Sequence, residues 1–362
     1  MSKIVSVGTF DPPHIISQEL AVAKAKEHFK AGFSDVARLL SIFRNTEIQK
    51  RYFAVPLEWF LTEHSLQDRN DTYIRLATDY SIEAIRACLR SPDFVKDEVP
   101  YAAIDAIFFV STTGMSTPSI EARVMNRLPF SPHTKRIPIW GLGCAGGVAG
   151  LARANEYCSA YPKAQVLVIN LELCSLTFQK KDLSKSNLVG ASIFADGVTC
   201  SLVAGDAVET QSVAVLSALP VIRAHQTTLM PNSESVMGWD IKDGGLHVVF
   251  SKDIPTIIRT WLRGNVDEFL SNNKLAMESV QHFIAHPGGR KVLEAYRDAL
   301  GISEEMTAIP HRVLQEHGNM SSPSVIYVLK EFMLKQIAAG EVGLLTALGP
   351  GFSSELMLVR WE

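Results

Sequence analysis

The stretch Gly141-Leu142-Gly143-Cys144-Ala145-Gly146-Gly147 places one cysteine among four glycines. A short apolar run, Ile137-Pro138-Ile139-Trp140, comes before it, and small and apolar residues follow it at helical spacing. The pattern predicts a buried strand that turns sharply into a helix, with Cys144 on the first helical turn. Unpaired backbone NH groups and the helix dipole favour a thiolate there. We therefore expect a nucleophilic cysteine with a lowered pKa.

The same stretch also matches G-x-G-x-x-G, the fingerprint of dinucleotide-binding loops. Such a site has an acidic residue about 20 residues further on, and Glu172 lies somewhat beyond that position. A nucleophilic side chain between the second and third glycines would crowd a pyrophosphate. The residues therefore favour a nucleophile, and they leave an NAD-binding oxidoreductase or simple tight packing as alternatives.

The composition narrows the class of protein. A length of 362 residues favours two domains or one unit of two lobes. The formal net charge of -3 gives no electrostatic reason to expect a nucleic-acid partner. No apolar run approaches the roughly 18 residues of a membrane span, and no signal peptide is recognisable, so we predict a cytoplasmic protein. The five cysteines lack C-x-x-C spacing, so we predict neither a disulfide framework nor a metal site.

Strand-like and helix-like segments alternate along the chain, which predicts an α/β fold. One unit recurs within this pattern. Residues 106–128 read as a strand, a turn that contains Thr112, and a helix. Residues 279–300 repeat that order, with His286 in the turn. The repeat indicates a duplicated fold.

A second strand-turn-helix unit is predicted after each of these. Its turn contains Cys144 in the first half and, after an apolar strand at 310–314, Asn319 in the second. The spacing from the first turn to the second agrees within one residue between the halves. We therefore predict two similar lobes, residues 1–210 with Cys144 and residues 211–362 with His286 and Asn319.

The duplication brings three chemically suitable groups towards one point. A thiolate at Cys144 can accept an acyl group from a thioester, and the imidazole of His286 can stabilise it. The NH donors of Asn319, together with the histidine, suit a developing enolate or thioester oxyanion. A Cys-His-Asn set also occurs in papain-like proteases, where the asparagine orients the histidine. The residue types alone therefore leave the reaction open.

Two groups of basic residues stand out in the first hundred residues, Arg38 with Arg44 and Lys50 with Arg51. Charged residues at such spacing are typical of a solvated helical face. We predict exposed surface for both groups from the residues alone.

Four motifs occur in order along the chain: Gly143-Cys144-Ala145-Gly146-Gly147, Ile284-Ala285-His286-Pro287-Gly288-Gly289, His317-Gly318-Asn319-Met320-Ser321-Ser322 and the loop Gly349-Pro350-Gly351. In these the chain resembles the chalcone-synthase-like, or type III, polyketide synthases of the thiolase superfamily. The resemblance covers nearly the whole chain, and residues 117–123 look most like the bacterial members that make alkylpyrones. It implies a thiolase-like fold, with two duplicated lobes forming five layers (αβαβα), and a homodimer.

The resemblance also implies a mechanism. Cys144 would take an acyl group from acyl-CoA, while His286 and Asn319 bind the thioester carbonyl of malonyl-CoA as carbon dioxide leaves. No cofactor is expected, and the loop 349–351 is expected close to this site. A ketoacyl-ACP synthase of fatty-acid synthesis shares the three residues and remains an alternative, although its histidine turn is usually His-Gln-Ala-Asn. A catalytically silent scaffold is a further alternative, against which the intact set argues.

The same resemblance assigns further residues to the substrate pocket: Phe194, Cys174, Thr177, Val248, Ser321 and Thr117. We expect Phe194 to border the malonyl carboxylate, which leaves more readily beside an apolar surface. Val248, Cys174 and Thr117 replace a phenylalanine, a threonine and a methionine of the plant enzymes. We therefore expect a wider gate, long-chain acyl-CoA substrates and alkylpyrone products.

The resemblance gives the first basic group a second interpretation. Arg38 corresponds to a lysine that binds CoA phosphates in plant members, and Arg44 is expected to assist it. Arginine can bind phosphate through two parallel hydrogen bonds.

Overall fold

A computed structural model describes residues 1–29 and 40–362. The strands are β1 (Ser2–Phe10), β2 (His14–Ser17), β3 (Lys50–Phe53), β4 (Ala106–Val110), β5 (Lys135–Ile139), β6 (Gln165–Leu173), β7 (Asp196–Gly205), β8 (Pro220–Leu229), β9 (Met237–Lys242), β10 (Gly245–Phe250), β11 (His282–Ala285), β12 (Val342–Gly349) and β13 (Ser353–Trp361). The α-helices are α1 (Gln18–Phe29), α2 (Ser41–Arg44), α3 (Leu66–Leu89), α4 (Ile120–Met125), α5 (Gly146–Ala160), α6 (Lys185–Ile193), α7 (Thr210–Val213), α8 (Ile254–Ile257), α9 (Arg263–Asn272), α10 (Arg290–Leu300), α11 (Ala308–His317) and α12 (Ser322–Met333).

Nine of these strands form one mixed sheet in the order β11-β12-β13-β8-β1-β7-β6-β4-β5. In the first half of the chain, β7 pairs antiparallel with β1 and β6, and β4 pairs parallel with β6 and β5. The second half repeats this arrangement, because β13 pairs antiparallel with β8 and β12, and β11 pairs parallel with β12. The halves join through a short antiparallel contact between β1 and β8. The predicted duplicated α/β fold is confirmed.

Three hydrophobic clusters lie between the sheet and the helices that pack on its two faces. Successive side chains of a strand point to opposite faces of the sheet. In β6, Val166 packs in a central cluster with α5 and α12, whereas Leu167 packs in a cluster with α3. In β13, Met357 joins the same central cluster, whereas Leu356 packs with α9 and α10. The strands of each half therefore lie between the central pair of helices and an outer helical layer, in the predicted αβαβα order.

The prediction of a strand at residues 310–314 is wrong. The structure has helix α11 there, and Ile309, Val313 and Leu314 of this helix are buried. Short apolar runs do not distinguish a strand from a buried helix by periodicity alone. Among the described residues, β5 therefore has no counterpart in the second half.

The two central helices begin side by side. A Cβ atom on Gly146 would lie 2.6 Å from Val110 Cγ1 and 3.2 Å from Ser322 Cβ. A Cβ atom on Gly147 would lie 2.4 Å from Val325 Cγ1 and 2.5 Å from the carbonyl oxygen of Ser322. Only glycine permits so close a backbone approach. These two glycines therefore hold the start of α5 against the start of α12.

Candidate active site

Cys144 lies in a short 3-10 helical turn, Gly143–Ala145, that continues directly into α5. Gly143 has a positive φ of 47°, and its NH donates to Thr112 Oγ1 at 3.0 Å. The sharp turn from strand to helix is therefore present as predicted. The strand before it, β5, is partly exposed rather than buried, because it forms one edge of the sheet.

The loop 349–351 packs on the cysteine turn. A Cβ atom on Gly349 would lie 2.5 Å from Ala145 Cβ, and one on Gly143 would lie 2.9 Å from Pro350 Cδ. Gly351 adopts a positive φ of 91°, which favours glycine. This loop therefore lies directly against the residues on both sides of Cys144.

Asn319 lies in the turn between α11 and α12. Its backbone NH donates to the carbonyl of Ile193 at 2.8 Å, and its carbonyl accepts from the NH of Ala195 at 2.9 Å. These two bonds form an isolated parallel bridge between Asn319 and Phe194. The backbone thus holds Phe194, at the end of α6, beside Asn319.

The side chain of Asn319 links the other two predicted residues. Its Nδ2 donates to the carbonyl of Gly288 at 3.0 Å, and the NH of Gly288 donates to the carbonyl of His286 at 3.0 Å. Its Oδ1 accepts from the NH of Ser321 at 2.8 Å. The side chains of Asn319 and Ser321 also lie close enough to Cys144 to lower the pKa of its thiol. Asn319 therefore contacts both the cysteine and the histidine turn.

Burial sets the charge states of Cys144 and His286. It raises the pKa of the Cys144 thiol to about 12, and it lowers the pKa of His286 to about 3. Both ring nitrogens of His286 are buried without a hydrogen-bond partner among the described residues. The predicted lowering of the Cys144 pKa is therefore wrong, because loss of water around the thiolate outweighs the helix start. Burial therefore favours a neutral thiol at Cys144 and a neutral imidazole at His286 in the resting site.

Glu172 is a site residue whose position the sequence did not reveal. Its buried carboxylate accepts from the NH groups of Thr112 and Thr113, each at 3.0 Å, and from the hydroxyl of Ser322 at 3.2 Å. It thereby connects the turn that supports Cys144 with the start of α12. Burial raises the pKa of Glu172 to about 7, and its charge adds to the raised pKa of Cys144.

These contacts overturn the dinucleotide interpretation. Gly146 and Gly147 are occupied by helix packing, so they leave no space for a pyrophosphate. Glu172, the candidate ribose ligand, is fully buried and bonded to the protein itself. The sequence signal that could have marked Glu172 as a site residue is its place as an acidic residue near the end of the otherwise largely apolar strand β6.

An apolar cavity of about 310 Å³ lies beside the site. Four of the predicted pocket residues line it, namely Cys174, Thr177, Phe194 and Val248, together with the phenylalanines Phe29, Phe43, Phe53, Phe60 and Phe178. Cys174 lies close enough to Cys144 for the two groups to interact electrostatically. Cys144, His286 and Asn319 do not themselves line the cavity, which adjoins the site through Cys174 and Phe194.

Two aromatic residues, Trp239 and Phe250, lie beside Phe194 at the gate, and the sequence analysis did not identify them. The ring of Phe194 lies 5.7 Å from the ring of Trp239 and 5.5 Å from that of Phe250, measured between centroids. Val248 pairs with Trp239 across the β9–β10 hairpin, and both line the cavity. The width of the gate therefore depends on Trp239 as well as on the small side chain of Val248.

Three further predicted residues, Ser321, Thr117 and Arg44, do not line the cavity. Ser321 is buried at the start of α12, with a positive φ of 59°. Thr117 is exposed in the segment between β4 and α4, and Arg44 is exposed at the end of α2. Arg38 lies outside the described residues.

The surface prediction for the second basic group is wrong at Arg51. This residue lies in β3, not on a helix, and its exposed fraction is only 2%. Its neighbour Lys50 is partly exposed in the same strand. Period-2 alternation in a four-residue strand thus turns one of two adjacent cations inwards.

The described residues contain neither a metal-binding cluster nor a membrane-spanning helix. Within residues 1–29 and 40–362, no group of three or more His, Cys, Asp or Glu side chains is placed to hold a metal ion. None of the helices seen in those ranges combines the length and apolar character needed to cross a membrane. All five cysteines are buried and free.

Most of the chain matches a known pair of family domains. Residues 1–207 match the N-terminal domain of chalcone and stilbene synthases, and residues 221–361 match the C-terminal domain. A putative chalcone synthase of Bacillus subtilis is 50% identical over 363 residues, covering 100% of this chain and 99% of that protein. The alpha-pyrone synthesis polyketide synthase-like Pks18 of Mycobacterium tuberculosis is 27% identical, covering 98% and 90%.

Solved structures show the same likeness. The crystal structure of 1,3,6,8-tetrahydroxynaphthalene synthase from Streptomyces coelicolor, a bacterial type III polyketide synthase, has a TM-score of 0.91 and 27% identity, with 99% of each chain covered. These similarities favour neither the ketoacyl-ACP synthase nor the NAD-dependent oxidoreductase. The chain therefore belongs to the chalcone and stilbene synthase family and is a type III polyketide synthase, a decarboxylating condensing acyltransferase that uses acyl-CoA and malonyl-CoA.

Proposed function

We propose that this enzyme loads a long-chain acyl group from acyl-CoA onto Cys144, extends it with malonyl-CoA and releases alkylpyrones. The observation that carries this proposal is the apolar cavity that begins beside Cys174, near the cysteine, and is lined by phenylalanines. The pyrone product is supported by the relative Pks18, which is described by alpha-pyrone synthesis.

Loading begins with transfer of the Cys144 proton to neutral His286. The sulfur then attacks the acyl-CoA carbonyl, a C–S bond to Cys144 forms, and the C–S bond to CoA breaks. The CoA thiolate takes the proton back from His286, so charge balances over the step. Burial opposes an isolated thiolate, but a thiolate beside an imidazolium is a neutral pair overall and is less costly to bury.

Extension uses the bridge between Asn319 and Phe194. We propose that Asn319 Nδ2 and His286 donate to the thioester oxygen of malonyl-CoA while the carboxylate faces the ring of Phe194. The bond to the carboxyl carbon breaks, carbon dioxide leaves, and its electron pair forms an enolate stabilised by these donors. The enolate carbon attacks the acyl carbonyl on Cys144, and the sulfur departs as a thiolate. No net oxidation occurs, so the reaction requires no redox cofactor.

The cavity supports a preference for long starters. Each buried methylene contributes roughly 0.8 kcal/mol, so affinity should rise about fourfold for every carbon that the cavity accommodates. The wall contributed by Val248 and Trp239 sets where the chain can pass. An acetyl group would leave this apolar wall uncovered.

The position of Arg44 supports a phosphate-binding site close to the turn that contains His286. Glu47, three residues after Arg44, bonds to Arg290 at 2.8 Å, and Arg290 begins α10 four residues after His286. We propose that Arg44, with Arg38, binds the CoA phosphates. Arg44→Glu should therefore raise the Michaelis constant for CoA substrates without changing the product pattern.

We also propose a homodimer that pairs through the exposed edge of β5. Trp140, which follows this strand, is 52% exposed, and Met115, two residues before Thr117, is 38% exposed. An unpaired strand edge can pair with a second chain, and grouped exposed apolar side chains can mark an interface. Sedimentation of the wild type against Trp140→Glu tests this arrangement.

The test of the proposed function is a competition among starters. Purified enzyme is incubated with malonyl-CoA and acyl-CoAs from acetyl to stearoyl, and products are identified by mass spectrometry, with Cys144→Ala as the control. We expect alkylpyrones from the long chains, and Val248→Phe should move the preference towards shorter chains. Acceptance of only acetyl or aromatic starters would refute the long-chain proposal.

A further inference from the structure

Arg51 is a buried cation for which neither loading nor extension, as described above, has a use. It is 2% exposed, and its guanidinium lies over the ring of Phe53 at 5.2 Å from the centroid. It belongs to β3, yet it lines the apolar cavity together with Phe194. A buried guanidinium is costly unless its surroundings compensate the charge, so its contacts indicate what it does.

The contacts of Arg51 converge on the bridge between Phe194 and Asn319. Nη1 donates to the carbonyl of Phe194 at 2.8 Å and to that of Ala191 at 2.7 Å. The bridge itself uses the carbonyl of Ile193 and the NH of Ala195. It therefore leaves the Phe194 carbonyl free, and Arg51 takes that acceptor.

The stem of Arg51 supports the other side of the same bridge. Gly318, which precedes Asn319, has a positive φ of 73°. A Cβ atom there would lie 2.8 Å from Arg51 Cγ and 3.1 Å from the carbonyl oxygen of Ile193. One side chain thus packs against the turn of Asn319 and hydrogen-bonds to the backbone of Phe194.

Within the described residues, the Arg51 guanidinium is not in direct contact with a carboxylate. Asp196 interacts with it electrostatically, but the Asp196 carboxylate accepts hydrogen bonds from the NH of Ala54 at 2.6 Å and the NH of Ser175 at 2.7 Å. Arg51 Nε is buried and has no hydrogen-bond partner in the described part of the chain. Among the described residues, the hydrogen bonds of this guanidinium go to the carbonyls of Ala191 and Phe194, beside the gate.

We propose that Arg51 is a positioning residue for decarboxylation, which holds the ring of Phe194 and the amide of Asn319 at a fixed separation. This inference rests on the proposed function, in which these two residues receive the carboxylate and the thioester of malonyl-CoA. Both ends of the malonyl unit must be placed together for carbon dioxide to leave, and small misplacements slow such steps strongly. Phe194 and Arg51 line the cavity proposed for the acyl chain, but attack of the Cys144 sulfur on the acyl carbonyl uses neither the Phe194 ring nor the bridge. At saturating acyl-CoA, loading therefore does not need Arg51.

The test separates the two half-reactions in Arg51→Lys. Lysine keeps the positive charge but lacks the planar fork that holds two acceptors in fixed directions. Loading is followed as the mass gain of the intact enzyme with dodecanoyl-CoA. Decarboxylation is followed as carbon dioxide released from carboxyl-labelled malonyl-CoA. We expect at least about a tenfold loss of decarboxylation, while the loading rate stays within about twofold of the wild type.

Arg69→Lys is the matched control. Arg69 is 7% exposed, and it donates through Nη1 to the carbonyl of Leu176 at 2.7 Å and through Nε to that of His64 at 3.2 Å. It is thus a second buried arginine on backbone carbonyls, and both of these carbonyls lie outside the bridge between Phe194 and Asn319. The ratio of decarboxylation to loading should stay at the wild-type value. Arg51→Met is a harsher variant, and Arg51→Lys decides the matter if Arg51→Met does not fold.

Asn319→Ala, measured in the same assays, distinguishes failure of the positioning role of Arg51 from failure of the proposed function. If Asn319→Ala lowers decarboxylation and Arg51→Lys lowers it too while loading persists, the positioning role stands. If Asn319→Ala lowers decarboxylation but Arg51→Lys does not, or lowers both half-reactions equally, the positioning role is overturned and the proposed function survives. If Asn319→Ala leaves decarboxylation unchanged, the proposed function itself fails.

Discussion

The starts of α5 and α12 are built alike but carry different chemistry. At the first, the backbone NH of Gly143 donates to the side chain of Thr112 at 3.0 Å. At the second, the side chain of Asn319 donates to the backbone carbonyl of Gly288 at 3.0 Å. Each turn is thus tied to the preceding turn of its own half, with the roles of side chain and backbone exchanged. The duplicated fold supplies the positions, and the residue types supply the roles.

The two turns also differ in charge. Around the first, the buried Glu172 has a pKa raised to about 7. Around the second, His286, in the turn that Asn319 contacts through Gly288, has a pKa lowered to about 3. Burial is the cause in both cases, and it acts in opposite directions because it disfavours a carboxylate and an imidazolium alike. The first half therefore presents a thiol beside a carboxyl group, and the second half presents neutral hydrogen-bonding groups.

The largest expected effect removes the chemistry of the first turn. Cys144→Ala should lower condensation by roughly 10⁴-fold or more, because it removes the thiol that we propose forms the acyl thioester. The measurement is product formation from dodecanoyl-CoA and malonyl-CoA. The variant Cys158→Ala is the control, since Cys158 lies in the same helix but packs in the central cluster. Retained condensation in Cys144→Ala would falsify the assignment of the nucleophile.

The next effect removes the chemistry of the second turn while leaving the first intact. Asn319→Ala should still take up an acyl group, but release of carbon dioxide from malonyl-CoA should fall about 10²- to 10³-fold, the usual effect of losing one oxyanion donor. The two rates are measured on the same preparation. If loading and decarboxylation fall together, the division of labour between the two turns is incorrect.

The third prediction concerns the neutral state of His286. Because its pKa is lowered on folding, from about 6.5 to about 3, its contribution to stability is complete above pH 6.5 and is lost as the pH falls below it. Relative to His286→Gln, the wild type should lose about 2 kcal/mol of unfolding free energy between pH 7 and pH 5. Urea unfolding at both pH values measures this difference.

The control for this measurement is His133→Gln. His133 is exposed, so its replacement removes a histidine without opening a buried site. An equal pH dependence in the wild type and in His286→Gln would show that His286 is not held neutral by burial.

The smallest effect concerns the acid beside the first turn. Glu172 raises the pKa of Cys144 through its charge, so Glu172→Gln should lower that pKa and speed alkylation by iodoacetamide at pH 8 by about three- to tenfold. Glu355→Gln is the control, because Glu355 is also buried with a pKa raised to about 7 but bonds to Thr227. Equal rates in both variants would remove Glu172 from the electrostatics of the site.

The fold and the central residues were predictable because they depend on local patterns. The glycines around Cys144 predict a sharp helix start. The nearly equal spacing of the turns in the two halves indicates the duplication. The strand expected at 310–314 failed because a five-residue apolar run fits a strand and a buried helix equally well. The division of the lobes at residue 210 and the cytoplasmic location stay predictions.

Other features were beyond the sequence because they depend on distant contacts. Arg51 resembles any surface cation until Phe194, more than a hundred positions away, places a carbonyl beside it. Glu172 is bonded by Thr112 and Ser322, which come from different halves. The pKa of Cys144 depends on how much water reaches the thiol, and local sequence carries no measure of that burial. Such residues become visible only when the two halves are assembled.

The most direct test of the central claim is to locate the acyl group on the enzyme. The wild type is incubated with dodecanoyl-CoA alone, digested, and mapped by mass spectrometry, beside Cys144→Ala and Asn319→Ala. We predict one dodecanoyl thioester on Cys144 in the wild type and in Asn319→Ala, and none in Cys144→Ala. An adduct on any other residue, or one that survives in Cys144→Ala, would contradict the claim that the first half carries the nucleophile and the second half the donors.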